Sequence, residues 1–115
     1  MHMMDWNGYR DQVFAGVGAI GKISPDTTRG YATLSGAGAK TGHLDEKTRE
    51  LIAVACAVSL RCDGCITVHT KAARQAGASE DELTEALGVA IALNAGAGLV
   101  YSTRAMDAFS ASGEI

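Results

Sequence analysis

The stretch EKTRELIAVACAVSLR, Glu46 to Arg61, opens with charged residues and then turns apolar on every side from Leu51 to Val58. A helix that is greasy all round is normally enclosed by other helices. This one therefore reads as the central helix of an all-α bundle, or as a helix partly covered by a second subunit. Composition points the same way. Hydrophobic residues make up 47% of the chain but aromatics only 5%, so Ala, Leu and Val must supply the core. Ala and Leu favour helices, while the strand-favouring Ile, Tyr, Phe and Trp are scarce.

The 115 residues suit one domain, residues 1–115, with a core of its own. Working outward, Asp45 can cap the central helix, with Glu46 in its first turn. Upstream, GAGAKTGHLD, Gly36 to Asp45, reads as a loop or a frayed helix end. Ser24 and Pro25 open a helix that runs to about Ala39. Trp6, Tyr9, Val13, Val17 and Ile20 recur at spacings of three and four, which predicts an amphipathic helix over about Asp5 to Ile20.

Downstream, a fourth helix is expected from Asp63 or Gly64 to Ala76, with Gly77 as a left-handed stop. Ser79 and Glu82 form a capping box for a fifth. Its apolar pattern runs into Asn94, Gly96 and Gly98, where a kink or break is expected before a last helix from about Leu99 to Phe109. The result is a single-domain bundle of five or six helices.

A net charge of −3 and scattered basic residues give no sign of nucleic acid or an anionic membrane surface as partner. The N-terminal MHMMDWNGYRDQ lacks the form of a signal peptide, and the apolar run Leu51–Leu60 is shorter than the roughly 20 residues a bilayer requires. A cytoplasmic location and no membrane association are expected. In that compartment a structural disulfide is unusual, and the odd cysteine count disfavours a disulfide framework.

The chemistry concentrates in RCDGCITVH, Arg61 to His69. An isolated CxxC is a cycling dithiol, half of a zinc site, or chance. With Cys65 in the first turn of a helix, unpaired backbone N–H groups and the helix dipole favour its thiolate, while the charge of Asp63 opposes it. Cys62 lies just outside the helix, within disulfide reach. His69 follows Cys65 by four residues, so the two share a helix face and the imidazole can take or pass the thiol proton. Spacing alone makes Glu50 a solvated first-turn carboxylate. A link between Glu50 and His69 requires the chain to reverse between Arg61 and Gly64. Cys56, in the greasiest part of the central helix, reads as a small buried hydrophobe. With Cys62, Cys65 and His69 it would complete the donor set of a closed zinc site. His2 and His43 read as surface residues.

The segment ELIAVACAVSLRCDGCITVHTKAARQAGASEDELTEAL, Glu50 to Leu87, resembles the alkylhydroperoxidase D-like branch of the carboxymuconolactone decarboxylase family. The family pattern is a glutamate, eleven residues, CxxC, three residues and a histidine. Glu50, Cys62, Cys65 and His69 all fall in register with it. NAGAGLVYSTRAMDAF looks like the family's glycine-containing helical segment.

The resemblance implies an all-helical homo-oligomer, a trimer or hexamer, that reduces a hydroperoxide with electrons from a dithiol reductant and needs no bound cofactor. It implies that Cys65 is the nucleophile, Cys62 the resolving thiol, and Glu50 with His69 the proton relay. One position departs from the best-known peroxidases, which carry a histidine where this chain has Gly64. Family members that are decarboxylases typically lack the paired cysteines. A decarboxylase or lactone-processing enzyme, and a zinc-stabilised assembly module, remain the alternatives.

Overall fold

The computed structural model describes residues 1–113. Five helices follow in order: α1 Trp6–Ile23, α2 Pro25–Thr41, α3 Glu46–Leu60, α4 Asp63–Gln75 and α5 Glu80–Ser112. There is no strand among the described residues, and the chain is an all-α single-domain bundle. α3 packs on both α4 and α5, while α1 packs on both α2 and α4. The layout is thus a central α3–α4 hairpin with α5 on one side and the α1–α2 hairpin on the other.

Each helix boundary has a local cause. Asp5 caps α1 by accepting the Gly8 N–H, and Asp45 caps α3 by accepting the Thr48 N–H. Ser24 and Pro25 make the break between α1 and α2, with the Ser24 side chain hydrogen-bonded to Thr27 and not to the backbone. Ser79 and Glu82 form both bonds of the capping box that starts α5. Gly77 and Gly42 take positive φ where α4 and α2 end, a conformation that glycine adopts without steric cost.

Three expectations need correction. α2 continues through Gly36 and Gly38 to Thr41, so the loop before Asp45 is shorter than GAGAKTGHLD suggests. α5 is one continuous 33-residue helix with no break at Asn94, Gly96 or Gly98. A helical glycine costs only about 1 kcal/mol relative to alanine and is diluted here among good helix formers. The Asn94 amide is also satisfied in place, donating to the Ala90 carbonyl and to Ser59 Oγ. Finally, α3 is enclosed on one face only. Val54 and Ala57 are buried, but Ile52, Cys56 and Leu60 are exposed, because no helix of the same chain covers that side. Cys56 is therefore not the buried hydrophobe the sequence suggests.

The chain reversal between α3 and α4 falls at Arg61, the one non-glycine residue with positive φ among those described. The Cys62 N–H reaches back to the Ala57 carbonyl and the Arg61 N–H to that of Val58, closing the end of α3. Gly64 is not the hinge. It lies inside α4, and a Cβ there would meet Val13 Cγ2 at 3.4 Å, so it marks the line along which α1 packs on α4.

Candidate active site

Cys62 is the N-cap of α4, and its Sγ accepts the Cys65 N–H at 3.2 Å. The two sulfurs are bonded as a disulfide, with Cα atoms 5.2 Å apart. Reversal at Arg61 lays α4 along α3 and brings His69 to Glu50, where Nδ1–H donates to Oε2 at 2.7 Å. The side chains are 26% and 21% exposed, so the pair is largely shielded from solvent screening. With Nδ1 committed to the carboxylate, Nε2 is left as the ring's free acceptor position.

Cys62, Cys65 and His69 line one cavity of about 340 Å³. Its remaining wall comes from Val13, Phe14 and Val17 on α1, Tyr31 and Ser35 on α2, and Gly64 and Val68 on α4. Glu50 is outside the lining and reaches the cavity only through His69. The sequence had given Val13 and Val17 no role beyond an amphipathic face, and Phe14, Tyr31 and Ser35 none. The signal available was the four-residue spacing of Val13 with Val17 and of Tyr31 with Ser35.

Cys56 lies elsewhere, in an apolar groove between α3 and α5 with Ile52, Leu60, Val89 and Leu93. Three thiols and an imidazole do not converge, and no group of three potential ligands to a metal occurs among the described residues. His2 and His43 are exposed.

Residues 25–108 match the model of the carboxymuconolactone decarboxylase family. The chain belongs to the carboxymuconolactone decarboxylase family. An uncharacterized protein of Haemophilus influenzae is 48% identical over 106 residues, covering 92% of this chain and 94% of that one. An uncharacterized protein of the cox locus of Paracoccus denitrificans is 34% identical over 92 residues, covering 80% and 83%. Among solved structures, a carboxymuconolactone decarboxylase family protein from Legionella pneumophila superposes with a TM-score of 0.73 at 34% identity, over 91% of this chain and 94% of that one. A protein from Methanobacterium thermoautotrophicum gives 0.66, also at 34% identity, over 71% and 92%. In this family member the disulfide and the imidazole share one cavity, and the carboxylate lies behind the imidazole, hydrogen-bonded to it.

Proposed function

We propose that the chain is a cytoplasmic thiol-dependent hydroperoxide reductase of the alkylhydroperoxidase D-like kind, working as a homo-oligomer. The observation that carries this reading is the His69–Glu50 hydrogen bond beside a cavity into which both cysteines open. A metal-free thiol reaction needs a thiolate, a proton acceptor and a second thiol within disulfide reach.

In the reduced state His69 Nε2 takes the Cys65 thiol proton, and Glu50 stabilises the resulting imidazolium through Nδ1–H. The Cys65 thiolate attacks one oxygen of the hydroperoxide and the O–O bond breaks. The departing alkoxide takes the proton back from His69 and leaves as an alcohol, and Cys65 becomes a sulfenic acid. Cys62 attacks that sulfur, forming the disulfide and releasing water. A dithiol reductant reopens the bond in two exchange steps and is itself oxidised. Cys62 is the favoured leaving group in the first exchange, because the Cys65 N–H stabilises negative charge on its sulfur.

The cavity wall is mostly apolar and carries no carboxylate, which suits an organic hydroperoxide. Gly64 leaves α1 packed where the histidine of the best-known peroxidases would begin, so the relay here runs through His69 and Glu50 alone.

The test is steady-state reduction of an organic hydroperoxide supplied with a dithiol reductant. Cys65→Ser and Cys62→Ser should each abolish turnover, with Cys62→Ser still consuming up to one equivalent of peroxide per chain. Full activity in both variants overturns the reading. Unchanged turnover of a carboxylated lactone after alkylation of both thiols would favour a decarboxylase instead.

A further inference from the structure

Arg10 is the one buried cation among the described residues, 9% exposed, and no carboxylate pairs with it there. Its Nη2 donates to Asn7 Oδ1 at 2.8 Å, and its Nη1 donates to the Thr67 carbonyl and to Thr67 Oγ1, each at a long 3.4 Å. All three acceptors are neutral. A guanidinium carries five N–H donors, and a buried charge is normally matched by an opposite one.

Arg10 lines a groove of about 510 Å³ between α4 and the N-terminal turns of α1, and the groove shares no lining residue with the dithiol cavity. Lys71 and Arg74 reach it from successive turns of α4, and His2 is also among its lining residues. Thr70 and Asn7 add polar groups, while Trp6 and Ile66 supply apolar walls. No acidic residue lines it. Asp5, next to Trp6, is committed to the Gly8 N–H at the start of α1. Glu80 borders the adjoining groove, which shares Arg74, so Arg10 and Lys71 carry most of the charge argument. Three cations around one cleft are not a consequence of composition, since the whole chain carries a net charge of −3.

We infer that this groove is a binding site for a small organic anion, whose carboxylate or phosphate group sits on Arg10 and Lys71 while its apolar part lies against Trp6. A planar guanidinium held in place by Thr67 and Asn7 is preorganised for an oxyanion. The site is independent of the redox chemistry proposed for the dithiol.

Trp6 is the chain's only tryptophan, so its fluorescence reports occupancy directly. The full-length protein is titrated with sodium phosphate and, separately, sodium acetate, with sodium chloride holding ionic strength constant. The expected result is a saturable change with phosphate or acetate that chloride does not produce, and whichever oxyanion binds more tightly identifies the ligand's head group. Lys71 and Arg74 are exposed and can be changed without disturbing the core. Lys71→Gln should weaken binding about tenfold, Arg74→Gln by less, and Arg10→Gln should remove it.

An identical response to chloride overturns the inference, as does wild-type affinity in Lys71→Gln. So does a silent wild-type titration, and if the subunit number by light scattering also falls in Lys71→Gln, the groove is a contact between copies of the chain.

Discussion

At the scale of single residues, the proposed chemistry depends on what Glu50 does for His69. Nδ1–H is held by Oε2 at 2.7 Å, so the carboxylate fixes the tautomer and the orientation of the ring. Glu50→Gln keeps the shape and a hydrogen-bond acceptor but removes the charge that stabilises the imidazolium. Turnover of an organic hydroperoxide should fall about a hundredfold, the lower end of what a positioned base contributes. A purely structural role predicts a lowered thermal midpoint. The relay predicts a midpoint near wild type with an altered acid limb of the pH–rate profile, and an unchanged profile sinks it. Of these residues, Cys65 and His69 are legible in the sequence because four residues along a helix make neighbours. Glu50 is not, since its approach to His69 depends on α3 packing against α4, and only the family resemblance singled it out. Arg10 was silent as well: a lone arginine in an amphipathic pattern carries no sign that packing will bury it.

At the scale of helices, boundaries were legible where capping chemistry is local. Asp45, Ser79 with Glu82, and Gly77 act through bonds to residues three or four away. The continuity of α5 was not, because a glycine signals only a small local cost and the surrounding helix decides whether that cost breaks it. Glu82 links two elements, closing the capping box of α5 and pairing with Lys47 of α3 at 2.7 Å. The Lys47 ammonium, followed by the Ser79 N–H, holds the Glu82 carboxyl below the ordinary carboxylate range. A carboxyl lowered on folding adds stability that is present above its unfolded pKa and is lost as pH falls through the folded one. Lys47 is raised by the same bond, so its share is present below its unfolded pKa and lost only as pH rises through a value above the ordinary lysine range. Glu82→Gln should therefore melt slightly below wild type at neutral pH, with the gap closing in acid. Thermal melts across the acid range check this, and a gap that persists or widens in acid contradicts it.

At the scale of the whole molecule, one chain does not enclose its own apolar surface. The radius of gyration is 18.9 Å, against about 13 Å for a compact domain of this length. The buried apolar set is Val54, Ala57, Ala73 and Ala90, among the described residues, while Leu99, Val100, Tyr101, Met106 and Phe109 along α5 stand exposed. Next to them Ile52, Cys56, Leu60, Val89 and Leu93 line the bare groove between α3 and α5. Sequence periodicity reports how apolar a face is and not what covers it, which is why Cys56 read as buried. α5 is also long and apolar enough to cross a membrane. Its bare side, however, continues into α3, a short helix with a charged first turn, and a surface shared between two helices suits another copy of the same bundle better than lipid. The expected state is a homo-oligomer that stays in the aqueous fraction, with a light-scattering mass at a multiple of the 11.9 kDa chain. Leu93→Glu places a charge in the middle of the groove and should lower that multiple, at a cost in thermal stability that rises as the protein is diluted. A wild-type mass of one chain, or recovery only in detergent, would refute the arrangement.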